Sequence, residues 1–214
     1  LANNGSTMVV SGTLNLLQWS TVGEAAGTPE APESTMIVKD SAQVNTPDSF
    51  FIVGGEGLND GRLTLQDSAE LNASMLILGQ YGNGTRGFFI QEGNSMVNLT
   101  LSAPGSLWYI IPALQIGSAA SINWGGTWGN GQGEYHLNGG MLTAHSIGGG
   151  GGANGGSSKF YFNGGILKPT VSDAEVATAL AGMADQGEPA QTLFMQYLTQ
   201  VVVEENGAII DTAG

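Results

Sequence analysis

Along this chain apolar residues alternate with polar ones in short runs, and the runs themselves recur. In the stretch from Arg62, Leu63 and Leu65 flank Thr64; in the stretch from Gly133, Tyr135 and Leu137 flank His136. A period of two turns one set of side chains inward and the other outward, so each run predicts a short strand. A corner follows, then a second apolar run such as Met75-Leu76-Ile77-Leu78, then a turn of glycine, asparagine and small residues: GGEGLNDG, GQYGNGTRG, GTWGNGQG and GGGGGANGG.

This unit occurs about seven times, as STMVVSGTLNLL, STMIVKDSAQVN, RLTLQDSAELNA, GFFIQEGNSMVN, GEYHLNGGMLTAHSIGG, SKFYFNGGILKPT and VVVEENGAIIDTAG. Anchoring each copy on the last apolar residue before its corner aligns Val10, Val38, Leu65, Ile90, Leu137, Phe162 and Val203, at spacings of 28, 27, 25, 47, 25 and 41. Units of this length are too short for propeller blades and too strand-like for helical repeats. The expected fold is all-β: a parallel β-solenoid, or β-helix, of about seven coils forming a single domain over residues 1–214. One coil buries too little apolar surface to offset the entropy of fixing its backbone, so coils must stack, and the two end coils keep unpaired edges.

The corners are of two kinds. Asn-Gly-Gly, at Asn138 and Asn163, supplies residues that tolerate positive φ, and the two asparagines are expected to form a side-chain ladder. Asp-Ser-Ala, at Asp40 and Asp67, is one residue longer and is expected to bond the turn backbone through its carboxylate.

The two long spacings mark excursions. Residues 99–127 form an irregular or widened coil holding Trp108, Tyr109, Ile110, Ile111, Pro112 and Trp124, with Trp128 close by. These aromatics read as core or subunit contact in preference to a carbohydrate platform. The second excursion, 168–200, is expected to carry a short helical insertion near residues 172–199. Ser-Asp-Ala-Glu from Ser172 has capping-box form, and Val176, Leu180 and Met183 follow at helical spacing. A second helix from Pro189 would place Leu193, Phe194, Tyr197 and Leu198 on one face, covering apolar solenoid surface in preference to docking a partner.

Thirty-five glycines among 214 residues suit many turns, and 41% hydrophobic residues suit a folded core. The absence of cysteine excludes disulfides and thiolate metal sites. A net charge of −13 opposes attachment to nucleic acid or an anionic membrane. No apolar run reaches the ~18 residues that would insert into a bilayer. The chain opens at Leu1 and stops at IIDTAG in mid-repeat, so a longer precursor or further coils are expected.

Two residues past the anchor stand Asp40, Asp67 and Glu92, which would form a column at the ~4.8 Å strand spacing. Such a column would suit calcium or a glycosidase carboxylate pair, but solvated turn residues are the favoured reading. Glu205 continues the position, and Gly139 and Gly164 interrupt it. His136 and His145 have no cysteine to pair with and suggest neither a triad nor a zinc site. The glycine run at Gly148 lacks the Lys-Ser/Thr of a phosphate loop. Arg62, Arg86, Lys39, Lys159 and Lys168 are too few for a basic lyase cluster. Sequons at Asn4, Asn72, Asn83 and Asn98 are read as turn residues, not glycosylation sites. No catalytic residue, cofactor or metal ligand is expected.

FNGGILKPT, TLFMQYLTQ and VVVEENGAIIDTAG together resemble the autotransporter-associated β-strand repeats of large secreted bacterial proteins, abundant in Verrucomicrobia and Planctomycetes. The resemblance is good from Gly133 to Gly214 and looser before it. It implies a right-handed coil, display outside the cell or on its surface, and no catalytic residue or cofactor. The expected function is that of an extracellular structural protein binding copies of itself end to end, as a filament or surface-layer subunit. The contacts would be Met8, Val9 and Val10 at one end and Val201, Val203, Ile209 and Ile210 at the other. The alternatives are an adhesin or carbohydrate-binding module presenting Trp108, Trp124 and Trp128 to cell-surface glycans, and a polysaccharide-active enzyme using the acidic column.

Overall fold

The computed structural model describes residues 1–23, 32–55, 60–80, 84–100, 112–117, 130–149, 156–170 and 194–212. The first pass of the chain runs through β1 (Thr7–Val10), β2 (Thr13–Asn15) and β3 (Ser20–Val22). The second comprises β4 (Ser34–Val38) and the long β5 (Gln43–Val53), and the third β6 (Gly61–Leu65) and β7 (Glu70–Leu78). The fourth holds β8 (Arg86–Gln91), β9 (Met96–Leu99) and β10 (Leu114–Ile116), and the fifth β11 (Gln132–Leu137), β12 (Met141–Ala144) and β13 (Ile147–Gly149). The sixth holds β14 (Ser157–Phe162), β15 (Ile166–Pro169) and β16 (Met195–Gln196), and the last β17 (Gln200–Val203) and β18 (Ile209–Ile210).

The protein is all-β, and each pairing among the described strands is parallel. A seven-stranded sheet runs β1-β4-β6-β8-β11-β14-β17, and an eleven-stranded sheet takes up the rest. The larger sheet works as two ladders because β5 and β7 each belong to both: Gln43–Thr46 pairs Glu70–Ala73, the register shifts, and Phe50–Val53 pairs Met75–Leu78. The chain thus visits a first, a second and a third ladder in the same order on successive passes. Parallel strands in one ladder require such a return path, which is why the glycine turns recur.

The period-two pattern decides what is buried. On the first ladder one inward column is Met8, Met36, Leu63, Phe89, Tyr135, Phe160 and Val201, and the other is Val10, Val38, Leu65, Gln91, Leu137, Phe162 and Val203. Leu14, Val44, Leu71, Val97, Leu142, Leu167 and Ile210 play the same part on the second ladder. Among the described residues these columns meet in one main apolar core, and Ile52, Met75 and Ile77 with Phe50 form a second, smaller cluster.

Two expectations need correction. The fourth anchor is Gln91 and not Ile90: Leu65 and Leu137 both face Gln91, while Ile90 lies outward between Thr64 and His136. Part of the expected helical insertion, residues 171–193, lies outside the described residues. Its final segment is extended: Met195–Gln196 form β16, paired with Ile147–Gly148, and Phe194 and Leu198 pack against the core from either side of it. Of the 99–127 excursion, Leu114–Ile116 is an ordinary buried strand between β7 and β13.

Candidate functional site

The ends of the ladders are where the sequence placed its candidate contacts. Val201 and Val203 occupy inward positions, as their partners Phe160 and Phe162 do, yet Val203 is 61% exposed where Phe162 is 3%. Ile210, inward on the second ladder, is about half exposed in the same way, whereas Ile209 is about half exposed in the outward column of Gln43 and Glu70. Nothing covers the last pass among the described residues. The first pass differs: Met8 and Leu14 are half-buried against the core, and Val10 is only 8% exposed, so it belongs to the core more than to the surface. Val9 is exposed because it points outward, over Ile37. Leu1, Leu17 and Trp19, none of which the sequence reading singled out, are exposed near this end.

Apolar exposure is therefore concentrated. Among the described residues the exposed large hydrophobics are Leu1, Val9, Leu17 and Trp19 at the first pass, Val201, Val203, Ile209 and Ile210 at the last, Tyr197 just after β16, and Met96 between the ends.

The outer face of the second ladder carries a column that the sequence reading missed. The amide of Asn45 donates to Asn15 Oδ1 at 2.9 Å, that of Asn72 to Asn45 Oδ1 at 2.9 Å, and that of Asn98 to Asn72 Oδ1 at 2.9 Å. Asn98 also donates to Glu70 Oε1, whose other carboxylate oxygen accepts from Gln43 Nε2. The sequons at Asn72 and Asn98 thus hold amides already engaged in a ladder. Of the ladder expected at Asn138 and Asn163, only Asn163 takes part in a side-chain contact of this kind, accepting from the Asn206 amide at 2.8 Å.

Correcting the fourth anchor takes the acidic column apart. Asp40 and Asp67 adopt φ of +62° and +60°, and the residue sharing their place is Gly93 at +69°, not Glu92. Glu92 donates its backbone N–H to Leu65 O, as Gln66 does to Val38 O, and so stands one position earlier. Asp67 is engaged as a turn residue, its Oδ2 accepting from the Asp40 N–H at 3.1 Å. Glu205 is exposed in the turn after β17. Among the described residues no group of three acidic or histidine side chains is placed to hold a metal.

Four of the five basic residues find carboxylates, Lys39 loosely at the corner beside Asp40 at 3.8 Å and the other three on the outer face of the first ladder. Arg62 Nε lies 2.7 Å from Glu33, Arg86 Nε 2.7 Å from Asp60, and Lys159 Nζ 2.9 Å from Glu134. The hydrogen bond to Asp60 raises the Arg86 pKa and that to Glu134 raises Lys159, in each case against partial burial. Both guanidinium groups lie over the Phe88 ring. His136 stacks on Tyr161 with centroids 4.3 Å apart and planes within 4°. Rings stacked along the ladder use their faces on one another and offer edges outward, which is poor geometry for sugar stacking. His145 is at the bend between β12 and β13, and its buried Nδ1 has no hydrogen-bond partner among the described residues. Trp108, Trp124 and Trp128 lie outside the described residues.

The fold and its ends define a class: an all-β protein of parallel ladders with apolar ends. Comparison with known protein families, with curated proteins and with solved structures gives no match for this chain.

Proposed function

We propose that the three ladders are the faces of one right-handed solenoid of seven coils, and that the protein binds copies of itself end to end outside the cell, as a filament or surface-layer subunit. The fixed order in which the chain visits the ladders supports the coil. The general right-handedness of crossovers between parallel strands supports its hand. The autotransporter-associated repeat resemblance supports the location.

One observation carries the self-association. Among the described residues, apart from Met96 and from Tyr197, which follows β16 at the end of the third ladder, every exposed large hydrophobic belongs to the first or the last pass. Open strand edges beside uncovered apolar side chains are a template for further pairing. The two ends are different surfaces, so joining one to the other is a heterologous contact that propagates when it does not close. Acidic side chains at the corners, Asp40, Asp67, Glu92, Glu204 and Glu205 among them, would keep assembled rods apart laterally.

Val203→Asp tests this, because position 203 is already exposed in the isolated subunit. Sedimentation should show large species for the parent chain and a monomer for the variant, with circular dichroism unchanged. A variant that assembles like the parent would remove the last pass from the contact.

A further inference from the structure

Resting on the end-to-end reading above, we propose that the asparagine column of the second ladder sets the polarity and register of the junction, with Asn15 of one copy donating its amide to the Asp211 carboxylate of the copy before it. Every link in the column runs the same way, each Nδ2 pointing toward the N-terminal side: Asn98 to Asn72, Asn72 to Asn45, Asn45 to Asn15. Asn15 is the exposed end of this chain of donors. Its Oδ1 is used, and among the described residues no acceptor stands beyond its amide hydrogens.

At the other end the column closes on an acceptor. Beyond Asn98 the register leads through Thr143 to Lys168, and the Asp211 N–H bonds Leu167 O at 2.9 Å, which aligns Asp211 with Lys168. An ionised carboxylate offers about four lone-pair sites, so Asp211 can accept from a neighbouring copy as well as make contacts within its own chain. A donor terminus and an acceptor terminus on one column are complementary in head-to-tail order alone.

The apolar positions agree with the same register. Continuing each column across the junction sets Met8 on Val201, Val10 on Val203, Leu14 on Ile210 and Thr13 on Ile209. Charge disfavours the alternatives. A tail-to-tail contact would bring two sets of Glu204, Glu205 and Asp211 together, and like charges at a packed contact are strongly unfavourable. A head-to-head contact would set the Asn15 donors against one another.

Asn15→Asp places a carboxylate against Asp211 and should raise the critical concentration of assembly at least about tenfold. Adding Asp211→Asn to that variant should restore the parent value, because the donor and acceptor are then exchanged. Should Asn15→Asp fail to fold, the cysteine-free background allows a second reading. Thr13→Cys with Ile209→Cys in one chain should cross-link into covalent multimers on oxidation, since in-register strands at about 4.8 Å satisfy disulfide reach. Ile209→Cys alone should not. A parent chain that stays monomeric would remove the end-to-end reading and this proposal with it. If the parent assembles but Asn15→Asp assembles equally well, or its loss is not restored by Asp211→Asn, the amide key is wrong while the end-to-end reading stands. Cross-linked dimers from Ile209→Cys alone would overturn the polarity.

Discussion

Single residues set the fine structure of the core, and Gln91 shows how. It fills an inward position otherwise held by Val10, Val38, Leu65, Leu137, Phe162 and Val203. It is tolerated there because its amide is satisfied: Nε2 donates to Ser95 O and Met141 O, and Oε1 accepts from the Tyr135 hydroxyl at 2.5 Å. Tyr135 is itself stacked between Phe89 and Phe160 and fully buried. That burial pushes its phenol well above the ordinary value of 10.0, which keeps it a neutral donor. Between the ordinary and the raised value the folded protein holds a proton that the unfolded chain has released, so stability falls as pH rises above about 10. Denaturant titrations at pH 7 to 11 should show this fall. Tyr135→Phe should flatten it, while lowering stability at pH 7 by about 1–3 kcal/mol because Gln91 Oε1 loses its donor.

Elements follow from the repeat, and the strands were largely legible. Period-two alternation located the first ladder because its inward residues are aliphatic or aromatic in six of seven passes; only Gln91 breaks the code. That single polar anchor shifted the fourth copy by one. The slip created a false carboxylate column at Glu92 and hid a real amide column, since Asn45, Asn72 and Asn98 fall at one offset only when Gln91 is the anchor. Near residue 194 the difficulty was different. Phe194, Tyr197 and Leu198 suit a helix face by spacing, and what makes the segment a strand is pairing with Ile147, a contact remote in sequence. The amide column is also where an element-scale substitution bites. Asn45→Ala removes two of its hydrogen bonds, one to Asn15 and one from Asn72, and should cost about 1–2 kcal/mol by denaturant unfolding.

In the whole molecule, strands of the interior passes on the first ladder are paired on both sides, and β1 and β17 on one side only among the described residues. The described basic side chains are largely paired on one face, and among the described residues the exposed large hydrophobics, Met96 apart, lie toward the two ends; on the end-to-end proposal, a net charge of −13 would oppose lateral clumping of assembled rods. The exposure of the ends was not legible from sequence, because the same Val-x-Val pattern marks a buried interior strand and an uncovered last one. Only the position in the stack distinguishes Val203 from Phe162. Electron microscopy of the 214-residue chain across a concentration series tests the central claim most directly. Seven passes at about 4.8 Å each give an axial subunit step of about 34 Å, and unbranched fibres with that repeat are the predicted result. Dispersed single particles at the highest concentration would contradict it.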